Sequence, residues 1–151
     1  MKTYFSIKNW VLLIVTLCIF QGCSSDDDIS YDLAGNWKVI YFMDGNTIIT
    51  KSDDNTWPDI NNGDITATFT QPDSNGKGTI SGITVTNGYQ GDYTVQNNGK
   101  ITIESVTSTL INEPEWTKLF RITSAENFEI KNSVLLISYN NKENIIALER
   151  N

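Results

Sequence analysis

The 151-residue chain contains no histidine, and its two cysteines, Cys18 and Cys23, both stand near the start. Without imidazole there is no Ser-His-Asp or Cys-His nucleophilic centre, no His/Cys zinc site and no histidine acid–base chemistry. With no cysteine after Cys23, the body can form no internal disulfide and must be held by a packed core. Basic charge is scarce as well: 11 Lys and Arg face 18 Asp and Glu, a net charge of −7. Nucleic acid is therefore not an expected partner, because phosphate binding needs a basic face. The apolar run Trp10 to Phe20 has eleven residues, short of the ~20 a membrane-crossing helix needs. Carboxylates remain as possible catalysts, but no spacing among the eighteen acids singles out a pair.

What is present at the N-terminus is an ordered set of signals. Lys2 and Lys8 precede the apolar run, which gives way to Gly22-Cys23 and then Ser24-Ser25-Asp26-Asp27-Asp28. A basic start, a short apolar stretch and a small residue before a cleavage point make a secretory signal peptide over residues 1–22. Gly22-Cys23 resembles the lipobox of bacterial lipoproteins, in which the cysteine becomes the lipid-modified N-terminus; Phe20 and Gln21 depart from its usual residues. Ser25, Asp26, Asp27 and Asp28 resemble the acidic surface-export signal of Bacteroidetes lipoproteins. The resemblance implies a protein anchored by acyl chains at Cys23 in the outer membrane and displayed at the cell surface, since more than one chain is needed for durable attachment. Residues 23–32 then form an acidic tether, and residues 33–151 one folded domain. Removing two lysines and no acids leaves nine basic groups against eighteen acidic ones, a formal −9.

The domain reads as β structure. Trp37, Val39, Tyr41 and Met43 alternate onto one face of a strand that ends at the turn Asp44-Gly45-Asn46. Gly35-Asn36-Trp37 resembles the Gly-x-Trp opening of lipocalins. Thr50 to Asp64 is polar and turn-rich; its acids fail the EF-hand spacing, since Asp64 and Thr70 fall where glycine and glutamate are required. Trp57 in this loop is either a staple onto the barrel mouth or an exposed stacking aromatic. Ile65, Ala67 and Phe69 alternate with threonines, as in a strand with one wet face. Ile80 is out of phase with Ile83 and Val85, and a bulge at Gly82 would restore all three to one face. Tyr89, Gly91, Tyr93 and Val95 share a face, and Asn97-Asn98-Gly99 turns the chain into Ile101 and Ile103.

Asn87-Gly88-Tyr89-Gln90-Gly91-Asp92-Tyr93, followed by Gly99 to Ile103 and Ser108-Thr109, resembles the central pattern of META-domain, HslJ-like envelope lipoproteins. Trp116, Leu119 and Phe120 fit that family's amphipathic helix, with Asn112 and Glu115 as a capping box and Pro114 in its first turn. Phe128 to Ile130, Val134 to Ile137 and Ile145 to Arg150 fit its three closing strands. Cysteines common in the family are here Thr86 and Ile111, so no disulfide or thiol role carries over, and the resemblance supplies no catalytic residues.

The expected fold is thus mainly β, an antiparallel barrel or strongly curled sheet of about eight strands with one closing helix. The expected function is a noncatalytic surface lipoprotein, monomeric, attached to the membrane through its lipid, needing no metal or cofactor, and acting on an extracellular or envelope partner. The alternative is a lipocalin-like carrier of a small apolar ligand, lined by Trp37, Tyr41, Tyr89, Tyr93 and Trp116, with Trp57 at the mouth. A carboxylate-based hydrolase is a distant third.

Overall fold

The computed structural model describes residues 32–151, so the signal peptide, Cys23 and the acidic run Ser25 to Asp28 lie outside the described residues. Nine strands form a single antiparallel sheet: β1 Gly35–Asp44, β2 Thr47–Thr50, β3 Ile65–Phe69, β4 Lys77–Thr84, β5 Asn87–Val95, β6 Ile101–Ser108, β7 Asn127–Lys131, β8 Val134–Tyr139 and β9 Asn144–Arg150. Eight of them run β6-β5-β4-β3-β1-β9-β8-β7, and β2 is a short flap on the end of β1. The sheet curls until its two edges touch at their starts, where Lys100 bridges Asn127 and the Phe128 N–H donates to the Gly99 carbonyl at 2.7 Å. The expected strongly curled antiparallel sheet is the observed one.

Registers define two poles. Residues Leu33–Gly35, the 70–76 turn, the Asn132–Ser133 turn and Arg150 lie at the pole where the chain enters, while the 96–100 turn sits at the seam, against the start of β7. The β1–β2 hairpin, the 51–64 loop, the 84–87 turn and the 109–126 crossover lie at the opposite pole.

Alternation along each strand fills the interior. Trp37, Ile65, Ala67, Phe69, Ile80, Tyr93, Leu135, Ile137, Ile146 and Leu148 are fully buried in one continuous core. At ~25 cal/mol per Å² of apolar surface, this burial is the main force holding a domain that has no disulfide. The N-terminal strand is locked where it begins. Trp37 Nε1 donates to the Leu33 carbonyl at 2.9 Å, while Arg150 lies 4.5 Å over the indole and its Nη1 donates to the Ala34 carbonyl. A side chain at Gly35, whose φ is +136°, would occupy the path of that guanidinium, which accounts for glycine in Gly-x-Trp.

Three local readings are corrected. In β1 the register shifts between Val39 and Tyr41, so Ile40 is an inserted residue and the phase inverts. Phe42 enters the core in place of Tyr41, which is left half-buried together with Met43. No bulge occurs at Gly82: β4 pairs with β5 without interruption, Ile83 faces solvent, and Val85 returns to the core because it sits in the turn at φ +68°. The sheet's second irregularity is on β6, where Ser105 (φ +54°) and Val106 together oppose Gly91. Finally, the closing helix is a single 3-10 turn, Glu115–Leu119, without the Asn112–Glu115 capping box. Pro114 holds an extended ψ of 166° before it and Phe120 breaks from helical geometry after it, so five residues are all that can coil.

Candidate functional site

The sequence-selected aromatics are mostly core. Trp37, Tyr93 and Trp116 are buried, and Tyr89 nearly so. Trp116 packs edge-on against Phe42 at 4.6 Å between ring centroids, and Phe69 packs edge-on against Tyr93 at 5.4 Å. Such pairs contribute about 0.5–1.5 kcal/mol beyond area burial. These rings meet one another instead of surrounding a chamber. Trp57 is half-buried in the loop, beside the buried Thr56, and Tyr41 is half-buried on the other side of β1 from Phe42. Trp116 Nε1 is the one buried side-chain polar atom without a partner among the described residues.

Tyr89 and Tyr93 have a defined structural task. Each lies opposite a glycine of β4, Tyr89 on Gly82 and Tyr93 on Gly78. Each ring covers the space the missing side chain leaves, and a Cβ at Gly78 would come within 2.6 Å of the Tyr93 ring. The hydroxyls then reach over β4 to carbonyls of β3 and its exit: Tyr89 donates to Thr66 at 2.9 Å and Tyr93 to Thr70 at 2.5 Å. The four-residue spacing of the tyrosines is matched by the four-residue spacings of the glycines and the acceptors, so the motif ties three segments together. Burial pushes both hydroxyls above their ordinary pKa, most strongly Tyr89, and keeps them protonated as donors.

Asn87, the first residue of the same motif, is the functional residue that composition and periodicity did not single out. Its buried side chain acts as a substitute strand for the crossover: Nδ2 donates to the Ile111 carbonyl at 2.8 Å, while Oδ1 accepts from the Ile111 N–H at 2.7 Å and the Thr109 hydroxyl at 2.8 Å. Beside it, Thr86 donates its hydroxyl to the Asn112 carbonyl at 3.1 Å. Residues 109–112 are thereby pinned with Leu110 and Ile111 pointing outward.

Between this pinned segment and the barrel wall lies a cleft of about 420 Å³ that opens to solvent at the pole opposite the chain's entry. Its floor is the Tyr89–Phe120 ring pair, 5.6 Å apart, with Val106 and Ile122. Ile111 forms one wall, and Glu113, which accepts the Thr84 hydroxyl, lines the other side. A shallower trough of about 650 Å³ runs over the outer face of β3 to β6, lined by hydroxyl and amide groups such as Thr68, Ser81, Gln90 and Thr107. That composition is what the wet face of an antiparallel sheet carries. No Asp or Glu is buried among the described residues, and no group of three or more acidic, His or Cys side chains there is placed to hold a metal.

No protein-family model matches the chain, and no curated protein does. Among solved structures, it is similar to a DUF4847 family protein from Bacteroides vulgatus, with a TM-score of 0.56 and 18% identity over 78% of this chain and 93% of the other. At that identity the likeness speaks for the fold alone.

Proposed function

We propose that this chain is a noncatalytic, lipid-anchored envelope protein whose barrel is a rigid platform presenting its far pole to a partner outside the cell. The observation that carries the reading is the filled interior: Trp37, Tyr93, Trp116 and their neighbours occupy the space in which a barrel carrier would hold its ligand. Function is then left to surfaces. Enzyme chemistry is disfavoured because the described carboxylates are exposed or only half-buried, whereas raising a general acid's pKa takes desolvation or a close like charge. Asp32 and Leu33 sit at one pole; a tether anchored at Cys23 would turn the opposite pole, with its cleft, away from the membrane. The META-like reading of Asn87 to Tyr93 draws support from the same geometry. Thr86 and Ile111, where that family often carries cysteines, lie on neighbouring segments joined here by the hydrogen bonds of Thr86 and Asn87.

Mass spectrometry of the mature N-terminus from the native host tests the anchor. Diacylglyceryl mass on Cys23 is expected, and an unmodified Cys23 would end the proposal. Replacing Asp26, Asp27 and Asp28 by alanine should keep the lipoprotein in the envelope yet protect it from protease added to intact cells. Unchanged accessibility would remove the surface-display part.

A further inference from the structure

The far-pole cleft has a chemical character of its own. Leu110 and Ile111 are 95% and 62% exposed, although burying such side chains is favourable. The chain forgoes that gain because Asn87 grips both backbone groups of Ile111 and fixes the segment in this outward pose. Below it, the half-buried Phe120 ring, packed against the buried Tyr89, forms an aromatic floor. The charge at the cleft is uneven. Lys118 at the rim is engaged by the Glu115 carboxylate, whereas Glu113 has the Thr84 hydroxyl as its donor and no ion-pair partner among the described residues. An apolar floor beside an uncompensated carboxylate, on a domain of net negative charge, selects for a cation with an apolar body.

We infer that this cleft binds small amphipathic amines, with the apolar body over Tyr89 and Phe120 and the ammonium group against Glu113. The carboxylate supplies sign selectivity, and the apolar floor supplies the contact for the body, with the ion pair strengthening as water is excluded. The site lies at the barrel's mouth, outside the packed interior, and does not depend on the lipid anchor; failure of one proposal leaves the other standing.

Three near-isosteric probes test this: phenethylamine, the neutral phenethyl alcohol and the anionic 3-phenylpropionate, each titrated into the isotope-labelled full chain and followed by NMR. Phenethylamine should shift the resonances of Tyr89, Ile111 and Phe120 and bind about tenfold more tightly than the alcohol, with the carboxylate weakest. Glu113→Gln, which keeps an acceptor for Thr84, should reduce the amine to the alcohol's affinity. Ile111→Ser, at an exposed position, should weaken amine and alcohol alike, about threefold, without unfolding the domain. Equal binding of 3-phenylpropionate, undiminished amine binding in Glu113→Gln, shifts confined to another surface, or no shifts at 20-fold molar excess would each overturn the inference.

Discussion

The two poles of the barrel are built differently. At the pole where the chain enters, connections are short and close on themselves: Asp73 Oδ1 accepts the backbone N–H groups of Asn75 and Lys77 at 2.8 and 2.9 Å, Gly76 supplies positive φ, and no large apolar side chain is exposed. At the far pole, two long connections carry or adjoin every exposed large hydrophobic residue among those described, Ile48, Ile60, Ile83, Leu110 and Ile111. Backbone order there comes from side chains reaching in from elsewhere, such as Asn87, or from burial of Trp116. Turn chemistry fixes one end, and long-range packing fixes the other. The first kind of end is expected to be inert, the second to be where the molecule meets its surroundings.

The sharpest way to break this comparison is to remove the ring that seats the far-pole crossover. Trp116→Ala should lower stability by about 3–5 kcal/mol in chemical denaturation, because a fully buried indole packed on Phe42 leaves a cavity. Trp57→Ala, in the neighbouring 51–64 loop but only half-buried, should cost less than ~1.5 kcal/mol. The reverse order would make the loop structural and the crossover peripheral. A smaller effect is expected at the entry pole. The N–H groups of Lys77 and Asn75 hold the Asp73 carboxyl below its ordinary value of 3.8. Because the folded-state pKa is depressed, the contribution of Asp73 is present above that value and is lost as pH falls through the folded one. Asp73→Asn should therefore lower the midpoint slightly at neutral pH and match the unmodified chain at low pH, which flattens a small part of the acid limb. An unaltered acid limb would show that the turn does not depend on the charge.

The same division explains what could be read from the chain. Alternating runs such as Ile65-Thr-Ala-Thr-Phe69 and turns such as Asn75-Gly76 identify strands and the short connections between them, because their conformations are decided within a few residues. The inversion at Ile40 was hidden, since neither glycine nor proline marks that bulge and only the pairing with Leu148 and Ala147 reveals it. Gly82 invited a bulge, yet its role is to leave room for Tyr89 from the adjacent strand, a reason that exists only across the sheet. Trp116 and Leu119 face the body as expected, because a three-residue step shares a face in a 3-10 turn as in an α-helix, and Phe120 reaches the body from just past the turn's end; the helix type was not legible. Tyr89 appeared as a possible cavity wall and is in fact both core and cleft floor. Glu113 had no local signal; its place depends on Thr84, 29 residues away.

The central claim is that the far pole is a pinned surface standing on a filled barrel, and amide hydrogen exchange on Asn87→Ala tests it most directly. In the unmodified chain the Ile111 N–H, bonded to Asn87 Oδ1 at 2.7 Å, should be protected despite its exposed side chain. In the variant, protection at Ile111 should fall by at least tenfold while the β4–β5 ladder amides around Tyr93 keep most of theirs. If Ile111 exchanges as slowly without Asn87, the crossover is held by something else; if the ladder amides lose protection in step with Ile111, the pole and the barrel are one cooperative unit and the distinction between them fails.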